Sequence, residues 1–217
     1  MITTLKVSEI FKIAWAETKK HFWFLILSTA IYFVLTILLN QFGEGPAGFF
    51  LGLAGFVVGL IFKVGLTRIS LLIESGRTPK SDDFKTEPIV VFKVFVANII
   101  CILLTVLGLM LLIVPGIIVL LRLSMTTYII VDKNLGAWES VKKSWKLTKG
   151  HSWKLLSLGL ISILLAIAGL LPVGLGLLIV LPLLYIVGAI FYRKISKEDH
   201  SEVSVWVTPP PTVSEAK

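Results

Sequence analysis

Three histidines, one cysteine and a pair of adjacent aspartates are the first places to look for chemistry in this chain. Histidines grouped with carboxylates or a thiolate could hold a metal ion, and a carboxylate beside a histidine could move a proton as general acid or base. The spacing offers neither arrangement. His21 and His151 lie 130 residues apart at the edges of apolar runs, and His200 stands in a polar C-terminal segment. Asp82-Asp83 has no histidine or third acid adjoining it and reads as a helix start before Phe84. Cys101 is the sole cysteine, so it can form no intrachain disulfide and reads as a small packing residue. No nucleophile elbow, phosphate-binding loop or paired-histidine zinc motif is present. The expectation is a non-enzymatic protein with no catalytic residues, no metal and no cofactor.

Arg122 is a different case, because it falls inside an apolar run, seven residues past Pro115. An ionised side chain within hydrocarbon must find carbonyls, hydroxyls, water or an anion. Thr105 is placed level with it, and Asn98 and Cys101 deeper, on the neighbouring run. Arg122, Thr105 and Asn98 are therefore the intramembrane polar candidates. They could form an interhelical clamp, or Arg122 could contact an anionic headgroup or substrate.

The elements that must position these residues are membrane spans. The chain of 217 residues is 56 % hydrophobic and 16 % charged, with a mean hydropathy of +0.92. A soluble domain is about 45–50 % apolar and about 25 % charged. A helix crosses the hydrocarbon in about 20 residues, and six runs qualify, at 22–39, 49–67, 94–114, 117–131, 155–171 and 175–192. The breaks are "NQFGEGPAG", Pro115-Gly116, "DKN" and "PVG". The runs lack the alternation of barrel strands. An all-α, polytopic integral membrane protein is expected. It would form one six-helix domain over 1–197, followed by a disordered cytoplasmic tail over 198–217. The first run has no cleavage pattern and reads as a retained span.

Charge sets the orientation. Apart from Arg122, the lysines and arginines fall in or beside the N-terminus, the second–third loop, the fourth–fifth loop and the C-terminal tail. That is 20 of the 21 basic residues on one side, and the positive-inside rule makes this side cytoplasmic, with both termini inside a plasma membrane. Lys63, Arg68 and Lys93 read as side chains snorkelling from span ends.

The chain also matches itself. Displaced by 130 residues, "EIFKIAWAETKKHFWFL" (9–25) lies on "ESVKKSWKLTKGHSWKL" (139–155) with eight identities in seventeen positions. Unrelated sequence gives on the order of one. Repeat units of about 7–73 and 137–197 follow, each a short polar helix and a two-span hairpin, running the same way through the membrane. The central hairpin, 88–133, has no matching tryptophan–lysine segment, and its status as a third unit is open. At 100° per residue, Ala137, Val141, Ser144, Trp145 and Thr148 share one face, as do Val7, Ile10, Phe11, Ala14, Trp15 and Thr18. Each segment reads as an amphipathic helix lying in the membrane interface. The anchors would be Lys12, Trp15, Lys19, His21 and Trp23 in one copy. In the other they would be Trp138, Lys142, Trp145, Lys149, His151 and Trp153.

The stretch 113–156 resembles a group of uncharacterised six-span bacterial and archaeal membrane proteins. It is also similar to the membrane domain fused to some glycerophosphoryl diester phosphodiesterases. Pro115-Gly116, Arg122, Asp132, "GAWESVKKSW", "LTKGHSW" and the closing Phe191-Tyr192 carry the likeness. The resemblance implies an all-helical membrane fold and no settled activity, and the phosphodiesterase activity does not carry over.

The function expected is that of a scaffold or accessory protein acting on lipids or partner proteins. The alternative is a small permease or lipid-handling transporter with an anion contact at Arg122. Partners would be anionic lipids and a possible membrane protein. Nucleic acid is excluded, since the lipid surface competes for the lysines behind the net charge of +8.

Overall fold

The computed structural model describes residues 6–41, 45–84, 86–171 and 174–207. In hydrocarbon a backbone must satisfy its own N–H and C=O groups, and continuous apolar runs do so as helices. The described residues contain helices and no strand: α1 Val7–Lys20, α2 Phe22–Asn40, α3 Gly45–Glu74, α4 Pro88–Leu111, α5 Ile113–Leu123, α6 Thr126–Lys133, α7 Ala137–Leu147, α8 Ser152–Leu170 and α9 Leu177–Val207. Six segments are long and apolar enough to cross a membrane, with the fourth spread over α5 and α6. The all-α, six-span reading holds.

Several boundaries differ from the sequence reading. The third span ends at Leu111, and Pro115 falls in the first turn of α5, where a missing N–H costs little. The helix start expected before Phe84 is one 3-10 turn, Ser81–Phe84, and α4 begins at Pro88. The fourth span is interrupted at Ser124-Met125. The tail expected to be disordered is helical over 198–207, since a nucleated helix propagates cheaply into the polar segment. Residues 208–217 lie outside the described residues.

Burial is concentrated at the end of the bundle that carries the lysine-rich loops. Ile69 and Ile73 of α3, Ile129 of α6, and Ile186, Phe191 and Tyr192 of α9 are buried there in one core. At the opposite end Met110, Leu111 and Leu171 are largely exposed. Lipid is as apolar as leucine, so that end is held by close approach of small residues instead. Gly108 meets Gly116 in one hairpin and Gly169 meets Gly176 in another; an added Cβ would crowd the Gly116 backbone from Gly108, Leu109 from Gly116, and the Gly169 backbone from Gly176. Deeper in the core, Gly188 leaves room for Tyr128, whose hydroxyl donates to the Tyr185 carbonyl at 3.1 Å.

The three hairpins are arranged in a ring. The first helix of each packs against the second helix of the hairpin before it: α4 on α3, α8 on α5 and, closing the circle, α2 on α9. The short elements follow the same order. The 3-10 turn sits on α3, α7 on α6, and α1 on α9. The central hairpin thus occupies a place like that of the other two.

Candidate functional site

At the lysine-bearing end, three spans are tied by charge. Arg193 of α9 places Nη2 2.9 Å from Asp132 Oδ1 and Nε 3.3 Å from Glu74 Oε2, joining α9 to α6 and α3. The Tyr192 hydroxyl donates to the other oxygen of Asp132 at 2.8 Å. Close by, Lys93 Nζ donates to both the carbonyl and the side-chain oxygen of Asn134, each at 2.8 Å. Asn134 takes a left-handed conformation (φ 51°) to end α6, which asparagine tolerates better than most residues.

The break between α5 and α6 is closed from outside the span. Ser144 Oγ donates to the Arg122 carbonyl at 2.7 Å, and Thr148 Oγ1, whose shorter bond of 2.7 Å goes to the Ser144 carbonyl, lies 3.2 Å from it. Side-chain hydroxyls here take the place of a backbone amide, as a broken membrane helix requires. Replacing Ser144 with Ala and Thr148 with Val together should strand that carbonyl and cost about 1–3 kcal/mol. Unfolding of the purified protein by denaturing detergent would measure it, with each single variant losing less than the pair.

Arg122 itself departs from expectation. Its guanidinium lies 4.7 Å from the centre of the Trp145 ring, in cation–π range. Its Nε is buried with no hydrogen-bond partner among the described residues. Thr105 and Asn98 are elsewhere, so the clamp joining these three is not formed. The reason is the interruption of the fourth span, which lets α7 dock beside Arg122 and cover it with an indole.

Asn98 and Thr105 instead line a groove of about 430 Å³ between α3, α4 and the α5–α6 break, together with Lys63, Cys101 and Thr127. Lys63 Nζ donates to Asn98 Oδ1 at 2.8 Å. Lys63 was expected to snorkel outward, but it turns across to α4. The signal lay in its position. Lys63 is five residues before Arg68, and Asn98 five after Lys93, so both sit about 7.5 Å deeper than those cations.

A second cleft, of about 710 Å³, lies beneath α7. Leu104 and Leu123 line it from the spans, and Trp138, Lys142, Lys143 and Lys146 from α7. Lys142 lies 5.4 Å from the Trp138 ring and Lys19 5.4 Å from that of Trp15.

The residues expected as anchors divide between protein and surroundings. In α1, Ile10, Ala14 and Thr18 are buried, and in α7 Ser140, Val141, Ser144 and Leu147 are, followed by Thr148. These faces pack on the bundle. Trp15 (43 %) and Trp145 (39 %) are left at the rim, and Trp23 (81 %) and Trp153 (82 %) stand fully outward. Lys12, Lys19, Lys142 and Lys149 are exposed. His21 and His151 form the joints between short helix and span, with φ near −110° and −106°. Positions 130 apart thus share burial at three buried sites and two tryptophan pairs. Among the described residues no three histidine, cysteine or acidic side chains gather as a metal-ion cluster.

A six-span helical bundle, with lysine-bearing short helices packed on its basic end, defines a multi-pass membrane protein. Residues 48–199 match the family described as "Protein of unknown function (DUF975)", and the chain belongs to that family. No curated protein and no solved structure matches it.

Proposed function

We propose that this is a non-enzymatic membrane scaffold or accessory protein that engages anionic lipid, and with it partner membrane proteins, at its lysine-bearing end. The observation that carries this reading is the cleft beneath α7, walled by Trp138 and Trp145, rimmed by Lys142, Lys143 and Lys146, and floored by leucine. Acyl chain suits the floor, tryptophan suits headgroup depth, and the ammonium groups suit phosphate. Among the described residues only Glu139 brings negative charge to its lining. The positive-inside rule assigns this end to the cytoplasmic face of the plasma membrane. The similarity of 113–156 to a membrane domain fused to some glycerophosphoryl diester phosphodiesterases fits a setting among phospholipids. The seating of Arg122 on Trp145 speaks against a permease organised around that arginine.

The test is lipid-dependent stability. In neutral detergent, phosphatidylglycerol should raise the melting temperature more than phosphatidylcholine, because a ligand that binds only the folded state stabilises it. Changing Lys142, Lys143, Lys146 and Lys149 to Gln should remove that difference while leaving the melting temperature in detergent alone nearly unchanged. Equal stabilisation by the two lipids, or an undiminished difference in the variant, would sink the proposal.

A further inference from the structure

The groove at Lys63 is separate from the cleft under α7, and its chemistry is one-sided. An ammonium has three donors and no acceptor. Lys63 gives one donor to Asn98 Oδ1, and among the described residues no carboxylate forms an ion pair with it. Because Asn98 must present its oxygen to an ammonium, its amide NH₂ is left facing away as a further donor. Ser124 and Thr126 spend their hydroxyl protons on the carbonyls of Leu121 and Leu123, at 2.7 Å each. Thr105 and Thr127 complete the polar lining. The groove therefore offers one positive charge and several donors, and its side-chain acceptors are neutral hydroxyl oxygens, of which that of Thr126 already accepts from the Cys101 thiol at 3.8 Å. Its mouth is formed by Ile102, Val106 and Leu120, which are 62 %, 47 % and 54 % exposed and lie on apolar spans.

We propose that this groove holds the phosphate of an anionic phospholipid that enters sideways from the bilayer. Its phosphate oxygens lie on Lys63 and the Asn98 amide, and its acyl chains run out over Ile102, Val106 and Leu120. A cation with unused donors inside a membrane calls for a polyvalent acceptor, and lateral exposure of the mouth to hydrocarbon calls for a ligand with a tail. The proposal rests on the lipid-engaging reading only in placing the ligand in the bilayer. The two sites share no lysine.

The experiment is native mass spectrometry of the full chain in neutral detergent, counting bound dioleoyl phosphatidate, dioleoyl phosphatidylcholine, oleate and inorganic phosphate. Phosphatidate should be retained at concentrations at least tenfold lower than phosphatidylcholine. Lys63→Gln should weaken it tenfold or more, and Thr105→Val about threefold. Leu120→Trp, which alters only the exposed mouth, should block it without touching Lys63, so the result does not hang on one buried substitution. Wild-type binding in both Lys63→Gln and Leu120→Trp overturns the groove. If the four-lysine variant of α7 then loses phosphatidate, the α7 reading survives alone, and if it does not, both readings fail. Oleate retained as tightly as phosphatidate overturns the assignment to phosphate. Inorganic phosphate retained without a lipid overturns the assignment to a membrane ligand.

Discussion

Arg193→Met should destabilise the folded protein by about 2–4 kcal/mol, between the value of an exposed ion pair and that of a fully buried one. Methionine restores most of the volume but none of the charge, so Asp132 and Glu74 would face each other with no cation between them. Arg193→Lys should recover only part of the loss. One ammonium cannot reproduce a planar fork whose Nη2 and Nε reach carboxylates on two different helices. Tyr192→Phe should cost less than either, since it removes a single bond to Asp132. Denaturing-detergent titration of the three variants would give the order directly. An Arg193→Lys variant as stable as wild type would show that charge alone, without the fork, holds the three spans.

Phe191→Ala should be as damaging, at about 3–5 kcal/mol, by leaving a cavity where α1, α8 and α9 converge. Phe191 is buried, its ring meets that of His151 at 6.5 Å centre to centre, and with Ile10 and Ile195 it lines a small enclosed gap between those helices. The loss should appear in two readouts. Global stability falls, and α1 becomes open to protease at its lysines, because α1 holds to the bundle chiefly through α9. Phe191→Leu should preserve most of the packing and keep α1 protected.

The spans were legible because each is a continuous apolar run, and hydrocarbon leaves such a run no option but helix. The length of α3 was less so. Residues 68–74, RISLLIE, contain two charges and are interrupted in hydropathy, yet Ile69, Leu71 and Ile73 are buried in one core with residues of α9, with Phe84 of the 3-10 turn packed against it, and the helix extends to Glu74. The break at Ser124-Met125 was hidden because both residues are ordinary in helices. What receives the carbonyl it frees is Ser144 of α7 and Thr148 just past its end, twenty or more residues further on. The site residues follow the same division. Asn98 and Thr105 were found by asking which polar side chains lie within a span, but Asn98 bonds Lys63 rather than Arg122, and Thr105 lines the same groove. Depth along a helix can be counted from sequence. The rotation that decides which neighbour a side chain meets depends on packing between spans, and no single run encodes it.

The closure of the hairpin ring by α1 and α2 against α9 has a consequence in time. A chain is made from its N-terminus, so α1 and α2 emerge well before α9, the helix on which they settle. About 170 residues separate the two, which is an interval of roughly 10–35 s at ordinary rates of translation. Throughout that interval the buried face of α1, with Ile10 and Ala14, lacks its chief mate. Biogenesis therefore has a built-in waiting period. The newborn protein must shelter its first helix on the membrane surface or on a chaperone, and arrival of the sixth span acts as the latch that completes assembly.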